Sequence, residues 1–191
     1  MTHLERVAWP VRTARLLLRP ATEADLDVMW RYRRLEDVNR WLTRGPATAT
    51  EFRAQIGTPE SLAKTLVVEL DGQVIGDLMV SVEDAWAQVE VADRAKAVQA
   101  DLGWAFDPAW TGRGYATEAV AELFRLCFED LGLRRVTAAC FTDNEPSWRL
   151  MERLGMRREM HTVKDSLHRS GEWLDGYLYA LLADEWRTRP R

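Results

Sequence analysis

A mixed α/β domain is predicted for this chain of 191 residues by three local patterns. Residues 102–106 read as a strand that runs through Asp107-Pro108 into a glycine-containing loop, and the loop opens directly into an amphipathic helix. Asp71-Gly72 separates two apolar runs and is a strong two-residue hairpin signal. Asn144-Glu145-Pro146-Ser147 begins a further helix that stops at Gly155. The resulting order of strand, helices, hairpin, strand–helix–strand, helix and hairpin belongs to a mixed architecture.

Taken in order, residues 1–12 read as a loose leader and 15–19 as a first strand. Thr22-x-x-Asp25 is a capping-box-like start for a helix through about 34. Helical stretches follow at 36–42 and, after Pro46, at 50–56. Residues 65–70 and 73–82 are the two hairpin strands. The polar stretch 86–97 has the position of a long hairpin tip, and 99–106 is the next strand. Between 115 and 131, Ala116, Val120, Leu123, Phe124, Cys127, Phe128 and Leu131 recur at helical spacing, with Gly132 as the stop. Residues 134–141 are a strand whose Val136, Ala138 and Cys140 form one apolar face. Asn144 is a good N-cap residue, Pro146 is tolerated in the first turn, and Gly155 suits the left-handed position after a helix. Residues 157–164 and 172–181 read as a final antiparallel pair. One domain over 13–188, without repeats or low-complexity tracts, is expected.

Composition narrows the functional classes. Charged residues make up 29%, hydrophobic ones 47%, and the net charge of −4 gives no reason to expect nucleic-acid binding. No apolar run approaches the roughly 18 residues of a membrane span. The first ten residues contain Glu5 and Arg6 and lack a signal-peptide core, so a cytoplasmic location is expected. Cys127 and Cys140 fall on apolar stripes where cysteine acts as a small hydrophobe. With no paired Cys-x-x-Cys and three histidines, no metal site is expected.

The loop Trp110-Thr111-Gly112-Arg113-Gly114-Tyr115-Ala116-Thr117-Glu118-Ala119 carries the chemistry. A glycine loop at a helix start directs free N–H groups and the positive end of a helix dipole toward one point, which seats a phosphate or diphosphate. It lacks the Gly-Lys-Ser/Thr ending of a Walker loop, and Thr117 stands where a dinucleotide fingerprint needs Gly or Ala. The stretch resembles instead the acyl-CoA loop of the GNAT acetyltransferase superfamily, Gln/Arg-x-x-Gly-x-Gly/Ala. Thr111 stands at the Gln/Arg position, which is a departure, Gly114 at the glycine and Ala116 at the last small residue. Asn144-x-x-Ser147 followed by Leu154-Gly155-Met156 is similar to the second signature of that family, about 30 residues later. The resemblance extends over roughly 15–186. The opening Arg15-Leu16-Leu17-Leu18-Arg19-Pro20 and the closing Glu185-Trp186 resemble the branch of ribosomal-protein N-terminal acetyltransferases of the RimJ/RimL type.

The resemblance implies a GNAT fold: a mostly antiparallel central sheet of about seven strands, flanking helices and a splayed acyl-CoA cleft. It implies acetyl-CoA as co-substrate, without a metal, and direct attack by a primary amine, either a protein N-terminus or a small amine. Cofactor contacts would fall to Trp104, Ala105 and Phe106 on the strand, to Thr111, Gly112, Arg113, Gly114, Tyr115, Ala116 and Thr117 in the loop, and to Asn144 and Ser147. Asp101 is placed to take the proton of the incoming ammonium, with Glu83 and Glu159 as alternatives. The family's usual tyrosine acid corresponds to Met151, which has no proton to give, so Ser147 one turn earlier is the candidate acid. The acceptor slot brings Trp30, Tyr32, Trp41, Glu159, His161, His168, Glu172, Trp173 and Asp175 into consideration; aromatics beside carboxylates suit a cationic amine. A monomer or homodimer is expected. A non-catalytic acetyl-CoA-binding or sensing module is the reading from another class.

Overall fold

The computed structural model describes residues 3–189. Their strands, β1 (Val11–Arg12), β2 (Leu17–Pro20), β3 (Thr65–Leu70), β4 (Gln73–Glu83), β5 (Gln99–Phe106), β6 (Arg135–Phe141), β7 (Arg157–Leu167) and β8 (Trp173–Leu182), hydrogen-bond in the order β1-β2-β3-β4-β5-β6-β8-β7, in one eight-stranded mixed sheet. The expected sheet of about seven strands is thus present with one short strand more. The chain forms two compact units, residues 1–79 with 104–122 and residues 80–103 with 123–191.

In the first unit, the segment 3–12, read from the sequence as a loose leader, contains a 3-10 turn at His3–Arg6 and the two-residue strand β1, Val11–Arg12. Leu4 and Val7 are buried there, and the Trp9 indole donates to the Leu4 carbonyl at 2.8 Å. β1 lies antiparallel to β2, Leu17–Pro20, with Val11 opposite Leu18. β2 pairs with β3, Thr65–Leu70, and β3 with β4, Gln73–Glu83, both antiparallel. Asp71 and Gly72 have φ of 49° and 79°, the paired left-handed dihedrals that an Asp-Gly turn supplies. Four successive β3 residues, Thr65 to Val68, are buried, as befits a strand covered on both faces.

Between β2 and β3 the chain forms α1 (Leu26–Arg33), α2 (Glu36–Asn39), α3 (Ala49–Ile56) and α4 (Pro59–Leu62). Thr22 precedes α1 as expected, its N–H donating to Asp25 Oδ2 at 2.8 Å. Thr48 and Thr58 accept from the N–H groups of Glu51 and Ser61 and so satisfy first-turn donors. Leu26, Met29, Tyr32 and Phe52 pack with Val67 and Ala105 in one apolar cluster. A buried polar tie holds α1 to β4: Tyr32 Oη and Arg33 Nε donate to Asp77 Oδ1 at 2.6 and 2.9 Å, and Arg33 Nη2 donates to Oδ2 at 2.7 Å.

The second unit is built on β5 (Gln99–Phe106, of which 99–103 lie here), β6 (Arg135–Phe141), β7 (Arg157–Leu167) and β8 (Trp173–Leu182). β6 runs parallel to β5, in register from Gln99 with Arg135 to Asp101 with Thr137, and antiparallel to β8. β7 borders β8 with register shifts after Arg158 and Thr162. The helix α5, Tyr115–Arg125, continues as one π turn, Leu126–Asp130, before Gly132 at φ 68° ends it. Its lower half buries Leu123, Phe124, Leu126 and Cys127. Phe124 and Phe128 pack on Trp186 of α7 (Ala183–Thr188), a helix the sequence pattern did not signal, with ring centroids 6.2 and 5.7 Å away. α6, Glu145–Arg153, ends before Gly155, whose φ of 83° is the left-handed stop expected of it. The stretch expected as a hairpin tip at 86–97 holds a 3-10 helix, Val89–Ala95, closed by Ala85 N–H on Ala95 O at 2.8 Å.

Candidate active site

The loop lies in the first unit, and its approach is set by the end of β5. Gly76 of β4 lets Phe106 lie against the backbone, since a Cβ there would stand 2.5 Å from Phe106 Cδ1. Asp107 N–H donates to Ile75 O at 2.9 Å, and the Asp107 carboxylate accepts from Ala109 N at 2.9 Å, capping the Pro108–Trp110 turn. Of the strand residues assigned to the cofactor, Ala105 is buried while Trp104 and Phe106 are half-buried.

Residues Thr111 to Gly114 are exposed, and Tyr115, Ala116 and Thr117 half-buried. Gly112 and Gly114 sit at φ 75° and 79°, so both glycines serve backbone dihedrals that L side chains resist. Nothing lies within 4 Å of the Cβ position of Gly112. The helix ladder starts when Glu118 N–H reaches Gly114 O at 3.0 Å. The N–H groups of the preceding turn are those an α-helix leaves for an external anion. This arrangement fits a diphosphate. Thr111, in contrast, spends its hydroxyl on Pro108 O at 2.9 Å, so it takes over none of the side-chain role that the family motif gives that position.

Sequence reading missed what surrounds the loop. Arg15, ahead of β2, donates from Nε to Glu118 Oε2 at 2.6 Å and from Nη1 to Arg113 O at 3.0 Å. Its guanidinium lies 4.6 Å from the centre of the Tyr115 ring, and Arg113 stacks on Trp110 at 5.3 Å. Glu118 Oε1 also accepts from Thr13 Oγ1 at 2.5 Å and from Arg15 N at 2.8 Å. Burial opposes ionisation of Glu118, but the hydrogen bonds from Thr13 and Arg15 prevail and lower its pKa. Pairs a hundred residues apart leave no local sequence signal.

The second unit carries the proton-handling candidates. Asp101 is half-buried on β5, and Thr137 Oγ1 stands 3.4 Å from its Oδ1. Burial, then the charge of Glu83, raises the Asp101 pKa above the ordinary carboxylate value, and the Thr137 and Leu102 hydrogen bonds offset only part of that. A raised carboxylate is the better proton acceptor near neutrality. The alternative Glu159 differs. A hydrogen bond from Arg135, assisted by Arg157 and opposed by partial burial, holds its carboxyl at about 2. Two guanidiniums occupy its oxygens, with Arg135 Nη1 at 3.1 Å and Arg157 Nη2 at 2.7 Å, so Glu159 is a poor base.

Asn144 occupies the N-cap position of α6 but makes no side-chain cap bond; the first turn closes instead through Ser147 N–H on Asn144 O at 3.0 Å. Burial pushes the Cys140 thiol up to about 11, and the neighbouring Ser147 offsets only part of that. Met151 is 1% exposed and belongs to the core. Cys127, fully buried, is pushed up to about 12 by desolvation.

The residues considered for the acceptor slot separate. Tyr32 leaves the set, because it is fully buried and bonded to Asp77. His161 Nε2 lies 3.1 Å from Asp175 Oδ2, and its ring stands 5.1 Å from Tyr177, which also meets Trp148 edge-on at 6.4 Å. Trp173 is exposed, and Trp30 packs on Phe52 at 5.5 Å. Among the described residues no helix is long and apolar enough to cross a membrane, and no three His, Cys, Asp or Glu side chains group as metal ligands.

Residues 15–157 match the family model described as an acetyltransferase (GNAT) domain. The chain is 31% identical over 117 residues to the L-amino acid N-acetyltransferase AaaT of Escherichia coli, covering 61% of this chain and 67% of that one. It is 32% identical over 85 residues to the [ribosomal protein uS5]-alanine N-acetyltransferase of E. coli, 44% of this chain and 43% of the other. The chain spans about half the length of several curated relatives it matches. The crystal structure of a GNAT-family acetyltransferase from Bacillus anthracis superposes with a TM-score of 0.77 at 29% identity, covering 92% of this chain and 99% of that one. With the loop, the second signature and three quarters of its length matched, this chain belongs to the GNAT acetyltransferase family and resembles its RimJ/RimL-type members.

Proposed function

We propose that the chain is an N-acetyltransferase that carries the acetyl group of acetyl-CoA to an α-amine, on a protein N-terminus or a free amino acid. The observation that carries this reading is the exposed glycine loop, with two left-handed glycines directly before the α5 N-terminus in a chain of this family. Relatives named for an amino acid and for a protein alanine both work on an amine beside a carbonyl, which favours that class over other amines. Acetyl-CoA supplies the activated thioester. The backbone of residues 112–117 would hold its diphosphate, with Arg113 beside it. The backbone of Trp104, Ala105 and Phe106 would hold the pantetheine arm.

Asp101 receives the proton of the acceptor ammonium, its basicity raised by burial and by Glu83. Ser147 donates a hydrogen bond to the departing thiolate, and water supplies the proton that leaves with it as the free CoA thiol. No metal is required, and a cytoplasmic single domain over 13–188, acting as monomer or homodimer, accompanies the reading. Burial of Met151 where the family has its tyrosine favours one second reading, an acetyl-CoA-binding module without turnover.

Thiol release from acetyl-CoA, followed over a panel of free amino acids, N-terminal peptides and polyamines, separates the two. Turnover with the α-amines supports the enzyme, and tight binding without release on any amine supports the module. Asp101→Asn tests the base. It should lower turnover by about 10²–10⁴-fold at neutral pH and recover as pH rises past the α-amine value of about 8, where neutral amine supplies itself. A ratio of variant to parent that stays flat with pH would remove Asp101 from the role.

A further inference from the structure

The geometry points to Arg15 as a positioning residue for the phosphate-holding loop, taking over from outside the motif the role that Thr111 does not fill. This rests on the acetyl-CoA reading above. Glu118 lies in the first turn of α5, where a carboxylate is drawn to the same positive helix end that a diphosphate would use. Left alone, it would repel that ligand. Three donors occupy it: Arg15 Nε at 2.6 Å from Oε2, and Thr13 Oγ1 and Arg15 N at 2.5 and 2.8 Å from Oε1. Both oxygens are engaged and the charge is balanced by one guanidinium.

The same guanidinium braces the loop itself. Nη1 holds Arg113 O at 3.0 Å, between the two left-handed glycines, and Nη2 stands 3.4 Å from where a Cβ on Gly114 would be. Its flat face covers Tyr115 at 4.6 Å. A surface ion pair would touch its partner carboxylate alone. Arg15 contacts the carbonyl, the glycine, the ring and the acid of the segment 113–118, and its side chain remains 46% exposed. One rigid planar group therefore fixes the loop conformation and cancels the charge that competes with the ligand.

The test measures CoA affinity by calorimetry in the parent, Arg15→Met, Glu118→Gln and the double variant, with turnover on acetyl-CoA and on acetyl-pantetheine, which lacks the diphosphate. Arg15→Met should weaken CoA binding on the order of tenfold and raise KM for acetyl-CoA with little change in kcat. Acetyl-pantetheine kinetics should stay unchanged, and the double variant should recover most of the lost affinity. Should Arg15→Met fail to fold, Glu118→Gln alone decides, because it should bind CoA at least as tightly as the parent. Unchanged CoA affinity in Arg15→Met overturns the proposal, as do equal losses with both acetyl donors or weakened binding in Glu118→Gln. A parent protein that does not bind CoA overturns instead the acetyl-CoA reading on which it rests.

Discussion

Replacing Asp77 with alanine breaks the tie between α1 and β4, and the structure sets the size of the effect. The Asp77 side chain is 1% exposed and that of Arg33 is 17% exposed, so neither recovers full hydration when its partner is lost. Three hydrogen bonds, at 2.6, 2.9 and 2.7 Å, end on the one carboxylate. Its removal strands a buried guanidinium and a buried hydroxyl, a change that costs about 3–5 kcal/mol. For a chain of this size each kcal/mol moves the midpoint by roughly 2–4 °C, so Tm should fall by about 6–20 °C. Tyr32→Phe removes one hydrogen bond to a charged group and leaves the ion pair, at about 1.5–3 kcal/mol. Adding Arg33→Met to Asp77→Ala should restore part of the loss, because an apolar side chain replaces the stranded charge. Urea unfolding at pH 7, followed by circular dichroism, reads all three. A loss below about 1 kcal/mol for Asp77→Ala, or a double variant less stable than Asp77→Ala by a full Arg33 increment, would refute the reasoning.

The remaining predictions concern the site. Gly114→Glu forces an L side chain to φ 79° and puts a negative charge in the anion seat, so CoA binding measured by calorimetry should nearly vanish while the chain still folds cooperatively. Ser147→Ala should lower turnover more than CoA affinity, whereas Met151→Leu, a volume-conserving change in the core, should leave turnover near the parent's and cost under about 1.5 kcal/mol of stability. Equal turnover in Ser147→Ala and the parent would discard the serine. For Asp101 the pH dependence of stability has a definite sign. Burial and Glu83 raise its folded pKa above the unfolded one, so the folded state binds the proton more tightly. That contribution is present below the unfolded pKa and is lost as pH rises through the folded pKa, at about 1.4 kcal/mol per unit of displacement. Asp101→Asn should therefore gain stability relative to the parent as pH rises across the acid range and hold that gain at neutral pH, as denaturant midpoints against pH will read.

What the sequence determined by itself is what depends on neighbours along the chain. Asp71-Gly72 specifies its turn because two adjacent residues tolerate positive φ, and Gly112, Gly114, Gly132 and Gly155 mark left-handed positions for the same local reason. The apolar recurrence from Ala116 to Leu131 specifies a helix and the face it buries, and the order of strand, glycine loop and helix marks the candidate anion seat. Short elements escaped, because the two residues of β1 and the single turn of α4 form through their packing rather than through any periodicity. Only the tertiary structure decided which charges meet. Glu118 is ordinary in a helix first turn until Arg15, 103 residues earlier, engages it. Glu159 looks like any candidate base until Arg135, 24 residues away, holds it. Tyr32 looks like a slot residue until Asp77, 45 residues on, buries its hydroxyl. Backbone dihedrals respond to chemistry within a few bonds, whereas the state of an ionisable group responds to whatever charge and desolvation the folded chain brings within a few ångströms, and sequence separation carries no record of that distance.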